Sequence, residues 1–269
     1  MFDPSQYTVQ TAKPIPVLLL LDTSGSMDGS KIDTLNSAVR QMIAAFSKEE
    51  RREVEVKVSI ITFGSSINRL QPFTSASAID FQPLSANGMT PLGAALRAAK
   101  DMIEDKTETP SRAYRPTVVL VSDGQPNDQW EEPLRAFISD GRSSKCDRMA
   151  MAIGRDADKD VLQKFIEGTP NPLFEAHRAS EIHRFFKFVT MSVTTRMRSS
   201  TPNQVPNLQA EFPPSQPPSP PTSLPGGPPS SVSVVRPFSP GSQETPGSIV
   251  APPSGNAPAP ASSGDDEYF

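Results

Sequence analysis

Five oxygen-bearing side chains on three loops are the residues whose types and spacing could do chemistry. They are Asp22, Ser24 and Ser26 in Asp22-Thr-Ser-Gly-Ser-Met27, Thr90 in Gly88-Met-Thr-Pro-Leu-Gly93, and Asp123 in Ser122-Asp-Gly-Gln125. Asp22, Ser24 and Ser26 alternate, so on an extended or tightly turned loop their oxygens can point to one side and meet a small cation. Oxygen donors with few carboxylates suit Mg²⁺ or Mn²⁺, which take octahedral oxygen coordination and keep several waters; thiolate metals do not fit. If Ser24, Ser26 and Thr90 touch the ion and Asp22 and Asp123 stand behind them, the ion keeps a positive, open position that would accept a carboxylate from outside.

Each residue also has a plainer reading. Asp22 could be a turn or helix N-terminal aspartate, and Ser24 or Ser26 could cap the helix beginning near Lys31, although Asp28 and Ser30 are closer to that helix. Thr90 before Pro91 is a fair helix cap with proline at the first helical position, and it could cap and bind together. Asp123-Gly124 is a common turn pair. A phosphate loop is excluded, because three residues separate Gly25 from Gly29-Ser30-Lys31 where a Walker A motif has four. Trp130 follows a turn-like polar run and serves either partner contact or packing. His177 and His183 lack metal or triad spacing, and no nucleophile–base pair is visible.

Three loops can converge only on a scaffold that aligns them. Val17–Leu21 is continuously apolar and reads as a strand buried on both faces of a parallel sheet. Ile32, Leu35, Val39, Ile43 and Phe46 recur three or four apart and give a helix over Lys31–Phe46. Further strands are expected at Val56–Phe63, Thr117–Val121, Arg148–Ile153 and Leu173–Ala176. Helices are expected at Leu92–Ile103, Glu131–Ser139, Asp158–Ile166 and Ile182–Val193. This alternation specifies an α/β, Rossmann-like, doubly wound fold: a mostly parallel central sheet with helices on both faces. In such sheets ligands bind beyond the carboxyl ends of the strands, where strand order reverses, and the three polar loops fall there.

Asp22-x-Ser24-x-Ser26, Thr90 and Asp123 together resemble the metal-ion-dependent adhesion site (MIDAS) of von Willebrand factor A (VWA) domains, over about Pro16 to Val193. In that family the two serines and the threonine coordinate the metal directly or through water, the two aspartates complete the site, and a partner's acidic side chain takes the remaining place. The strings LLLLDTSGSM, VSIITFG, MTPLGAAL, VVLVSDGQPNDQW, MAIGRDAD and FFKFVTMSV are similar to bacterial TerY-type VWA proteins. That resemblance implies a non-enzymatic adaptor in a tellurite-resistance or chemical-stress system, with a protein kinase and a metal-dependent phosphatase as partners. The alternatives are a metal-dependent phosphoester hydrolase, although the carboxylate-rich shell or general base of such sites is not evident, and a phosphorylated scaffold working mainly through the tail.

Composition divides the 269-residue chain at Ser199. Residues 199–269 hold 18 of the 30 prolines, one basic residue (Arg236) and five acidic ones. Too little apolar side chain remains there to offset about 1–2 kcal/mol of backbone ordering per residue, so a disordered tail is expected. The expected domains are an N-terminal extension (1–15), the VWA-like domain (16–198) and this tail (199–269). Its proline runs favour polyproline II, as spacer or docking ligand, and its acidic-aromatic tip, Asp265–Phe269, is a candidate handle for a partner. The preceding 198 residues balance 25 basic against 25 acidic side chains, so the basic stripe of a nucleic-acid binder is missing. No leader peptide or membrane span is evident, and Cys146 is the sole cysteine; a reducing cytoplasm fits.

Overall fold

The apolar run at the start of the chain forms the middle of the sheet. In the computed structural model β1 (Lys13–Asp22) pairs in parallel with β2 (Val54–Phe63) on one side and β4 (Thr117–Ser122) on the other. The described residues are 12–49, 53–208 and 210–212. Outward from β4 lie β5 (Asp147–Ile153) and β6 (Leu173–Ala176), both parallel, and outward from β2 lies β3 (Ile67–Ser75), antiparallel, giving the order β3-β2-β1-β4-β5-β6. The chain winds from β1 outward through β2 and β3, then returns to the other side of β1. Strand order therefore reverses between β1 and β4.

Period two on a sheet covered on both faces explains why β1 has no polar interior position. Val17, Leu19 and Leu21 join α1 (Ser30–Glu49) and α5 (Ala179–Arg198) in one core; Leu18 and Leu20 join α2 (Leu92–Glu104), α3 (Glu131–Ser139) and α4 (Lys159–Ile166) in the other. All five side chains are fully buried, each contributing about 2 kcal/mol on transfer from water. The doubly wound, mostly parallel sheet with helices on both faces is as the sequence specifies.

Two boundaries differ from the sequence reading. Strand β1 begins at Lys13, inside the segment assigned to the N-terminal extension, because its first residues pair with Val54–Lys57. Packed chain also continues past Arg198. Leu208 and Phe212 are buried in the α1/α5 core, with the Phe212 ring edge-on to Phe188 at 5.5 Å. Arg196, fully buried and lowered to about 10 by loss of solvation, donates to the Pro202 carbonyl at 2.8 Å, to Thr117 Oγ1 at 2.7 Å and to the Arg115 carbonyl. A segment poor in apolar residues is thus held by two apolar anchors and one guanidinium. The remaining tail, its polyproline runs and the tip Asp265–Phe269 lie outside the described residues, as do residues 1–11.

Strand β3 was not expected. Its sequence carries Pro72, which a sheet tolerates at an edge, and lacks a period of two, Asn68, Arg69 and Leu70 being exposed in a row; its pairing with β2 shifts register between Val58 and Ile61.

Because Phe212 packs as core, Phe212→Ala in the full chain should cost about 3 kcal/mol of unfolding free energy, seen as a lower urea midpoint. An unchanged midpoint would show that the segment after Arg198 is solvated tail.

Candidate functional site

The parallel pairing of β1 with β4 runs through Leu21 and Val121, so Asp22 and Ser122 end their strands side by side. Ser122 Oγ donates to Asp22 Oδ2 at 2.5 Å and the Ser24 backbone N–H donates to Asp22 Oδ1 at 2.8 Å. Asp22 is fully buried; loss of solvation raises its carboxyl to about 6, against the lowering effect of these hydrogen bonds. One residue beyond Ser122, Asp123 Oδ1 accepts from Ser26 Oγ at 2.7 Å and from Ser24 Oγ at 3.4 Å, and the two serine hydroxyls lie 3.0 Å apart. Asp123 Oδ2 is 2.7 Å from Lys31 Nζ, which also donates to the Ser26 carbonyl at 3.1 Å.

Thr90 arrives on a loop stitched to the first by main-chain bonds: Asn87 N to the Thr23 carbonyl at 2.7 Å and Gly25 N to the Gly88 carbonyl at 2.9 Å. Backbones approach so closely that a β-carbon on Gly64 would stand 2.5 Å from the Asn87 carbonyl oxygen and 2.6 Å from that of Thr23. The Thr90 hydroxyl faces Asp123's neighbour: a β-carbon on Gly124 would lie 3.0 Å from Thr90 Oγ1 and 3.8 Å from Ser26 Oγ. All five residues singled out in the sequence therefore converge at the carboxyl ends of β1 and β4.

Several plainer readings fail on geometry. Ser24 precedes a single 3-10 turn, Gly25–Met27, without a side-chain cap bond, and its hydroxyl turns to Ser26 and Asp123. Thr90 does not cap α2. That role falls to Asp128, whose carboxylate accepts from Gly93 N at 2.8 Å and Ala94 N at 2.9 Å, while Asn127 N donates to the Thr90 carbonyl at 3.1 Å. Asp128 thereby fixes the Thr90 loop against the Asp123 loop. Trp130 packs against the second core with the Lys164 ammonium 5.5 Å above its ring.

Sequence reasoning missed Lys31, Ser122 and Asp128. Lys31 did carry a signal: a lysine in the first turn of a helix opposes the macrodipole and needs a nearby acid. The site differs from carboxylate- or thiolate-rich metal centres. No group of three or more His, Cys, Asp and Glu suited to a metal occurs among the described residues; here three of the five oxygen-bearing side chains are hydroxyls.

The model of the von Willebrand factor type A domain matches residues 17–188, which takes in all six strands except the first four residues of β1, and all five converging residues. The chain belongs to this family. Solved structures with the same fold include a von Willebrand factor type A protein from Catenulispora acidiphila (TM-score 0.53, 20% identity, 68% of this chain and 43% of that one). Others are the ArnB paralog VWA2 from Sulfolobus acidocaldarius (0.51, 16%, 69% and 46%) and proximal thread matrix protein 1 from the mussel byssus with a zinc-occupied MIDAS motif (0.52, 14%, 67% and 48%). The VWA chain spans less than half the length of each of these structures. No curated protein matches the sequence. No helix among the described residues is long and apolar enough to cross a membrane.

Two outcomes follow for the VWA domain in chelator. Asp22 has a folded pKa of about 6 against an ordinary 3.8, so ionising it costs stability, and the cost grows as pH rises through that window to an order of 3 kcal/mol. Asp22→Asn should abolish that part of the pH dependence in thermal melts between pH 4 and 7. Separately, Asp128→Ala leaves two helix N–H groups without their acceptor and should cost about 1–2 kcal/mol in chemical denaturation.

Proposed function

We propose that this VWA domain is a metal-dependent protein-interaction module whose Asp22, Ser24, Ser26, Thr90 and Asp123 hold one Mg²⁺ or Mn²⁺. The observation that carries this reading is the convergence of Ser24 Oγ, Ser26 Oγ and Asp123 Oδ1 within hydrogen-bonding reach of one another, with the Thr90 hydroxyl close by, 3.0 Å from where a β-carbon on Gly124 would stand. The donor set fits: hydroxyl oxygens in front, two fully buried carboxylates behind, and no sulfur or imidazole. A bound divalent ion would supply an electrophilic position for a carboxylate. The chain's own groups set the rest. Ser122 and the Ser24 N–H orient Asp22, and the stitched glycine loops fix the spacing of the hydroxyls. The zinc-occupied MIDAS of the mussel byssus protein supports the metal reading by analogy of fold.

The partner in this reading offers an Asp or Glu side chain to the metal. The strings LLLLDTSGSM, VVLVSDGQPNDQW and MAIGRDAD, similar to TerY-type proteins, favour a cytoplasmic adaptor of a tellurite or chemical-stress system. A protein kinase and a metal-dependent phosphatase would be its partners, and the tip Asp265–Phe269 a second handle. The domain is a binder and not an enzyme: both carboxylates are engaged by donors from the chain, and neither is aimed outward as a general base.

Calorimetric titration of Mg²⁺ or Mn²⁺ into the full chain should show one saturable event, weakened at least about tenfold by Asp22→Ala. Recovery of partners from lysate should fall in chelator while the circular-dichroism spectrum is kept. No binding to the wild type would refute the metal reading, and phosphoester turnover that Asp22→Ala abolishes would refute the binder-only reading.

A further inference from the structure

Lys31 occupies the electrically worst place for a cation, the second residue of α1, where unpaired N–H groups already carry positive partial charge. Its ammonium nevertheless points to the oxygen cluster. It meets Asp123 Oδ2 at 2.7 Å and the Ser26 carbonyl at 3.1 Å, with an Asp123 side chain that is 0% exposed and a lysine side chain that is 18% exposed. From the third side comes Gly154, at the end of β5: a β-carbon there would stand 3.6 Å from Nζ and 3.8 Å from Cε, so a residue without a side chain flanks the lysine's position. The lysine is enclosed by β1's loop, β4's end and β5's end, and divides Asp123 with the serines, which take Oδ1 while the ammonium takes Oδ2.

From this arrangement we infer that Lys31 is a tethered counter-ion that stabilises the metal-free site and competes with the metal for Asp123, setting the affinity of the site. The inference rests on the metal reading above. Without Lys31 the Asp123 carboxylate would be buried with only serine hydroxyls as donors, beside the Asp22 carboxylate at the neighbouring strand end, and a buried charge without a counter-ion is costly. The ammonium removes part of that cost. A divalent ion held by Ser24, Ser26 and Thr90 would lie beside the same ammonium, and repulsion between like charges around a fully buried carboxylate is little screened by salt. Metal entry and the Lys31–Asp123 pair therefore oppose each other, by the same factor in either direction. A charge that favours metal release makes occupancy, and with it grip on an acidic partner, respond to the free metal concentration.

The test uses the full chain as wild type, Lys31→Met and Lys31→Arg, with Mg²⁺ as the probe. Lys31→Met should bind Mg²⁺ about tenfold more tightly, melt at a lower temperature than wild type in chelator, and gain more in melting temperature on Mg²⁺ saturation. Lys31→Arg, which keeps the charge, should stay near wild type in affinity. If Lys31→Met is unfolded in chelator, refolding on addition of Mg²⁺ supports the inference and failure to refold overturns it. Wild-type binding with unchanged or weaker affinity in Lys31→Met overturns it while leaving the metal site standing, as does equal tightening by Lys31→Arg. Absence of Mg²⁺ binding in the wild type removes the metal reading and the inference with it.

Discussion

Two buried carboxylates at the ends of adjacent strands are the constraint around which the rest is arranged. Asp22 and Asp123 lie on β1 and just past β4, where the apolar sheet gives way to loops, and both are out of water. An ionised carboxylate in that position is costly unless donors and cations surround it. The neighbourhood consists of such compensation: Ser122 and the Ser24 N–H for Asp22, two serine hydroxyls and Lys31 for Asp123. Where two acids must be kept together, hydroxyl groups are the economical companions, since they donate to the acids without adding charge of either sign.

The sheet explains why that compensation can be so closely fitted. A strand in the middle of a parallel sheet is buried on both faces, so β1 is apolar from Pro14 to Leu21 and delivers Asp22 at a fixed height. Its registers with β2 and β4 then set Asp22 between Phe63 and Ser122, with the Thr23 N–H donating to the Phe63 carbonyl. The Thr90 loop is held by main chain on main chain at distances that admit no side chain at Gly64 or Gly88. Asp128 closes the arrangement from the other side by binding the start of α2.

What could be read from the sequence follows from how local each feature is. The alternation Asp22-x-Ser24-x-Ser26 acts within one loop, and the strands around Val17–Leu21 and Thr117–Val121 announce themselves by unbroken apolar runs; these were legible. Thr90 and Asp123 became legible only in company, by falling after the right elements in the right order. Edge strand β3 was hidden because one face and one edge are wet, which lets Arg69, Gln71 and Pro72 replace the apolar pattern. Leu208 and Phe212 are single apolar residues in a proline-rich context with no period to read, and their burial depends on the α1/α5 surface they meet. Lys31 and Asp128 do their work on partners 92 and 34–35 residues away, a relation that spacing along the chain does not express.

The bonds that join the loop of β1 to the end of β4 span 97 to 100 residues. On the ribosome, Asp22 and the serines are therefore made long before Asp123, Ser122 and the strand that carries them. A nascent chain that has formed only β1, α1 and β2 holds three of the five residues, Asp22, Ser24 and Ser26, and none of their closure, since non-local strand pairing is slow. Until β4 has emerged and paired with β1, Asp22 and the two serines lack the hydrogen-bond partners that close the oxygen cluster. That closure waits for β4, yet all of its residues have been made before half of the 269-residue chain.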